Sequence, residues 1–101
     1  MDKPEVVTLC GSVRFAPEHL AAHWRLSLEG CVVLLPALPT ADQGEPLPAT
    51  DLLKSLHRRK IDMCDRIHVV NPDRYVGLST ASEIAYAETL GKRITYEHSS
   101  T

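Results

Sequence analysis

The sequence lacks most of the features that mark a specialised protein, and each absence removes a class of function. Its three cysteines, Cys10, Cys31 and Cys64, are odd in number and nowhere form a CxxC pair, so a disulfide or zinc framework is a poor reading. Each lies in or beside an apolar run, where a reduced thiol behaves as a small hydrophobe. There is no excess of positive charge. Eleven Lys and Arg against thirteen Asp and Glu leave a formal charge of -2, which argues against a nucleic-acid polymer as partner, because such faces concentrate Lys and Arg. The one basic cluster, Arg58-Arg59-Lys60, is short and flanked by Asp51 and Asp62, as on a solvated helix face. No apolar run approaches the roughly 20 residues of a membrane span, so no membrane partner is expected. The start, Met1 to Glu5, is charged with no apolar signal core behind it, which makes a cytoplasmic protein the expectation. No GxGxxG occurs, and neither a cofactor nor a resident metal is expected.

What is present is an ordinary globular composition: 101 residues, 44% hydrophobic and 24% charged. That length suits a single domain over residues 1–101. Its core is small, so a homodimer that buries further apolar surface is expected. Val6 to Cys10 is a β-branched apolar run closed by Gly11-Ser12, which predicts a buried first strand. Pro17 to Glu29 then predicts a helix, with Pro17 in its first turn and Gly30 beyond its end. Cys31 to Leu35 predicts a second strand. From Pro36 to Thr50, four prolines and Gly44 disfavour helix and ladder alike, and a loop of this length predicts a mobile cover over a site. Helix returns after Asp51, with Leu52, Leu53, Leu56, Ile61 and Cys64 near helical spacing. Ile67 to Val70 predicts the third strand, Thr80 to Leu90 a helix, and Arg93 to Tyr96 the fourth strand. Strict alternation of strand and helix predicts a small doubly wound, flavodoxin- or Rossmann-like parallel sheet of about four strands with helices on both faces.

In such folds ligands sit beyond the carboxyl ends of the strands. Gly11, Ser12 and Arg14 follow directly on the first strand. Glycine allows close backbone approach, and the arginine fork suits phosphate; the bland alternative is a tight turn with an exposed Arg. Gly77-Leu78-Ser79-Thr80-Ala81-Ser82-Glu83 gathers three hydroxyls where a helix begins, and a helix start attracts anions. There Thr80 and Glu83 equally fit a capping box, in which the glutamate only satisfies a backbone N–H. Asp62 and Asp65 stand three apart near the end of the second helix, with His57 two turns before Asp65. His68, inside a strand, reads as packing or edge-facing.

Together these segments resemble the nucleoside 2-deoxyribosyltransferase-like family, which includes N-glycosidases of nucleoside monophosphates. The matching pieces are Leu9-Cys10-Gly11-Ser12-Val13-Arg14-Phe15, Leu56-His57 with Lys60-Ile61-Asp62 and Asp65, and Val70-Asn71. The longest runs from Tyr75-Val76-Gly77-Leu78-Ser79-Thr80 to Glu83-Ile84 and Tyr86-Ala87, and Gly91-Lys92 closes the set. They recur in order across nearly the whole chain. The resemblance implies an enzyme cleaving the N-glycosidic bond of a nucleoside or nucleotide, with Glu83 as nucleophile and His57, Asp62 or Asp65 assisting proton transfer. It implies ligand contacts from Gly11, Ser12, Arg14, Asn71, Tyr75, Gly77, Ser79 and Thr80. The chain departs from the family in having His57 where an aspartate is usual, and in lacking the first-strand tyrosine of many transferases. A non-catalytic nucleotide-binding module that keeps the pocket is therefore the alternative.

Overall fold

The computed structural model describes residues 3–39 and 50–99. Four strands, β1 (Val6–Cys10), β2 (Val32–Leu34), β3 (Arg66–Val69) and β4 (Arg93–Tyr96), form one parallel sheet in the order β2-β1-β3-β4. Three helices connect them: α1 (Ala16–Leu28), α2 (Thr50–Met63) and α3 (Leu78–Thr89). This is the expected small α/β fold of the doubly wound kind. The second strand is shorter than its apolar run, and α3 begins two residues before Thr80. The expectation of a cover between Pro36 and Thr50 falls mainly on residues 40–49, outside the described residues.

The topology explains which face each helix takes. From β1 the chain steps one way to β2 and then back across β1 to β3 and β4. Right-handed crossovers therefore send α1 to one face and both α2 and α3 to the other. The side chains of β1 alternate accordingly. Val7 and Leu9 pack with Ala22 and Leu26 of α1. Cys10 joins Ile61, Cys64, Ile67, Val69 and Ala87 beneath α2 and α3. Between them Thr8 points the same way as Cys10, and its hydroxyl donates to the Lys60 carbonyl of α2 at 2.8 Å. Full burial of an aliphatic side chain such as Leu9 contributes roughly 1.5–3 kcal/mol, so β1, paired on both edges and covered on both faces, anchors the sheet.

Among the described residues only α1 covers its face, and it covers the β1–β2 half. Over the β3–β4 half the sheet carries a polar ladder instead of an apolar layer. His68 Nε2 lies 2.7 Å from Glu97 Oε1, and its Nδ1 lies 2.8 Å from Thr95 Oγ1. Arg66 donates to Thr95, while Arg25 of α1 reaches across to grip both Glu97 oxygens at 2.7 and 2.9 Å. His68 is thus a packing residue of this ladder. Among the described residues no helix is long and apolar enough to cross a membrane.

Candidate functional site

The order β2-β1-β3-β4 places the switch of winding direction between β1 and β3, where a crevice must open at the carboxyl ends of the strands. A cavity of about 350 Å³ lies there, bounded by Gly11, Ser12, Pro36, His57, Tyr75 and Glu83 among others. That is at the lower end of the roughly 300–1,000 Å³ typical of small-molecule sites. Gly11 is required at the mouth of β1 by close approach. A Cβ there would meet the Val70 carbonyl oxygen at 2.5 Å, with φ at 152°. Ser12 then caps the short turn of residues Val13–Phe15 by accepting the Arg14 N–H.

The loop leaving β3 supplies the opposite wall. Asn71 is buried, and its amide is fully engaged with the backbone of His98, donating and accepting at 2.9 Å each way. It ties the segment after β4 to the end of β3 and does not line the cavity. Asp73 and Arg74 follow with φ of 54° and 64°, uncommon for residues other than glycine. This sharp turn delivers Tyr75 to the cavity. The Tyr75 ring meets Phe15 edge-on at 5.9 Å, and the Arg14 guanidinium lies 4.3 Å from the Tyr75 ring centre and 4.9 Å from that of Phe15. The arginine lies over both rings, as cation–π contacts do.

Gly77, in extended backbone, is the N-cap of α3 and offers no side-chain cap. The capping box of Thr80 and Glu83 therefore does not form. Thr80 is buried within the first turn, and Glu83 belongs to the second, where its carboxylate turns inward to the cavity. Ser79 and Thr80 line the same wall.

At the floor, Glu83 meets two residues from other elements. Glu83 Oε1 lies 3.5 Å from His57 Nε2 of α2, and that nitrogen lies 3.4 Å from Cys10 Sγ at the end of β1. Burial dominates the electrostatics. It pushes the Glu83 carboxyl up to about 7, against the smaller opposing effects of Cys10 and the Arg58 guanidinium. Burial, with the Lys60 ammonium and then His19 adding to it, pulls His57 down to about 4. Burial, then Glu83, pushes the Cys10 thiol well above its ordinary value. At neutral pH the imidazole is uncharged, so the His57–Glu83 contact is no salt bridge. Among the described residues Glu83 Oε1 and His57 Nδ1 are both buried without a hydrogen-bond partner, an unsatisfied arrangement that costs about 1–3 kcal/mol per group.

The structure thus brings together Gly11, Ser12, His57, Tyr75, Gly77, Ser79, Thr80 and Glu83; exposed Arg14 does not line the cavity but stacks on Tyr75, which does. It does not bring Asp62 or Asp65 there. Exposed Asp62 accepts a hydrogen bond from the Tyr86 hydroxyl at 2.5 Å. Asp65 accepts the Val6 N–H at 2.8 Å, at the start of β1 and the far end of the sheet from Gly11. Sequence reasoning missed Cys10 as a site residue, and also Lys54, which lines this cavity and an adjoining hollow with Arg58, Ser79 and Ser82. The available signal for Cys10 was its place as the last residue of a strand that opens into the crevice. Compared with known proteins, the chain matches no protein-family model and no curated sequence.

Proposed function

We propose that the protein is an N-glycosidase or deoxyribosyltransferase-like enzyme acting on a nucleoside or nucleoside 5′-monophosphate, with Glu83 as nucleophile. The observation that carries this reading is a largely buried carboxylate at a cavity floor, facing an uncharged imidazole and having, among the described residues, no cation within salt-bridge distance and no hydrogen-bond partner for one oxygen. An anomeric carbon develops oxocarbenium character as its base departs. A poorly solvated carboxylate is suited to capture it. Glu83 forms the glycosyl ester as the C–N bond breaks and the electron pair leaves with the base. Water, or a second base in transfer, then releases the sugar. Of the three groups expected to move protons, only His57 lines the cavity; as a neutral imidazole it suits removal of a proton from the attacking water. Arg14, held between two rings, suits a 5′-phosphate.

The resemblance of the motifs at Gly11, His57, Asn71 and Gly77 to the nucleoside 2-deoxyribosyltransferase-like family supports the same reading, as does the switch-point location. The experiment is a screen of nucleosides and their monophosphates for free base by chromatography, done with chelator present. Release by the wild type and none by Glu83→Gln is expected; absence of release across the panel counts against the enzyme. A single carboxylate among the described cavity residues favours a second reading, a nucleotide-binding module without turnover. Calorimetric binding of a monophosphate with no base release would establish it. A cytoplasmic homodimer belongs to the same proposal. Leu20, Trp24 and Leu28 stand on one face of α1 and are 53%, 66% and 71% exposed, and sedimentation at micromolar concentration tests whether a second copy covers them.

A further inference from the structure

The donor atoms of Cys10, His57 and Glu83 all lie within 4.8 Å of one another. They come from the end of β1, the middle of α2 and the second turn of α3, so no local spacing in the sequence could announce them together. Two of the separations, 3.4 Å for Sγ to Nε2 and 3.5 Å for Nε2 to Oε1, match the edges of a tetrahedron around zinc. Bond lengths of about 2.3 Å to sulfur and 2.0–2.2 Å to nitrogen and oxygen give edges of roughly 3.3–3.6 Å. We propose that this trio binds a borderline-soft divalent metal ion, zinc in the first instance, through Cys10 Sγ, His57 Nε2 and a Glu83 oxygen, with a fourth position open to the cavity.

The chemistry of the donors favours it. One thiolate, one imidazole and one carboxylate suit zinc better than calcium or magnesium, which take oxygen ligands. A thiolate and a carboxylate balance the two positive charges, so the loaded site is neutral and compatible with burial. The bare trio, in contrast, leaves Glu83 Oε1 buried and unpartnered. Binding converts the Cys10 thiol to a metal-bound thiolate and releases its proton to solvent. Both His57 and Glu83 line the cavity, which supplies the entry path. His57 Nδ1 lacks the outer hydrogen-bond partner that metal-ligating histidines usually have, and its lack costs roughly 10–100-fold in affinity. The site is therefore weaker than a structural zinc site. Under the glycosidase reading, which this one consequence rests on, an ion holding Glu83 removes the nucleophile, so zinc inhibits.

The test uses the full chain stripped with chelator. Zinc is titrated against a chromophoric chelator, and cobalt(II) is added in parallel to read thiolate-to-metal absorption in the near ultraviolet. One equivalent of zinc with that cobalt absorption is expected. Cys10→Ser and His57→Gln should each weaken zinc more than the roughly 10–100-fold that loss of an outer partner causes. Circular dichroism of the metal-free variants checks folding. Stoichiometric zinc binding that persists unchanged in folded Cys10→Ser overturns the site, since other side chains would then hold the ion. Should Cys10→Ser not fold, the wild type decides alone: cobalt bound without thiolate absorption, or no binding below millimolar, overturns it. Inert nucleosides with intact one-equivalent binding would sink the enzyme and leave the metal site standing. Base release by a protein that binds no zinc would do the reverse.

Discussion

The molecule contains two histidine–glutamate pairs, and they behave in opposite ways. His68 and Glu97 meet at 2.7 Å on the half-covered face of the sheet, and Arg25 grips both carboxylate oxygens. The Arg25 guanidinium, with His68 contributing less, holds the Glu97 carboxyl down at about 2. His57 and Glu83 stand 3.5 Å apart between α2 and α3 with no cation within salt-bridge distance among the described residues, and burial lifts Glu83 to about 7. Identical residue types thus yield a saturated structural clasp in one place and an unsatisfied pair with shifted pKa values in the other. The difference lies in what surrounds the pair: a bidentate arginine with access to water, or an apolar floor at the end of β1. Perturbed groups of the second kind concentrate where chemistry happens.

The sharpest way to break this comparison is to neutralise each glutamate in turn. Glu83→Gln should lower base release by at least about 1,000-fold, the usual scale for a lost nucleophile, while Glu97→Gln stays within about twofold of wild type in the same chromatographic assay. Comparable losses in both would erase the distinction.

The next largest effect is on the pH profile. Attack needs the carboxylate, so with chelator present kcat/KM should fall about tenfold per pH unit below about 7 and level off above it. A profile flat down to pH 5 would place the working group elsewhere.

Smaller, and opposite in sign, are the effects on stability. A carboxyl whose folded pKa is raised contributes stability below its unfolded value near 4.5, and loses it as pH rises through about 7. Glu83→Gln stays neutral, so at pH 8 it should be about 1–3 kcal/mol more stable than wild type in urea denaturation. Glu97 is the depressed case. Its contribution is present above about pH 4.5 and disappears as pH falls towards 2. Discounted for solvent screening, that contribution is about 1 kcal/mol, and Glu97→Gln should lose it at pH 7 but not at pH 2.

Much of this contrast was hidden in the sequence although the fold was not. Val6 to Cys10 was legible because burial on both faces writes itself as a continuous apolar run, and the helix around Asp51 because partial burial writes itself as helical spacing. The start of α3 was misplaced because Thr80 with Glu83 carries the signature of a cap, whereas Gly77 in extended backbone took that position and left Leu78, 93% exposed, inside the helix. Asp62 and Asp65 looked like a pair, but the helix stops at Met63, and the two diverge into the turn that follows. Glu83 and His57 were legible as candidates through motif resemblance. Cys10 was legible only as a small hydrophobe. Its meeting with His57, 47 residues away, is a property of the winding, which local pattern does not encode.

That winding also sets the order in which the site can exist in time. The central strand β1 pairs with β2 through Val6 and Val32, but it meets β3 only when Val7 finds Arg66, closing a far longer loop and giving the folding reaction a large non-local component. During synthesis Cys10 emerges first, His57 much later and Glu83 last of the three. No N-terminal fragment that stops before α3 can hold the three together, so the floor of the cavity is withheld until α3 has been made.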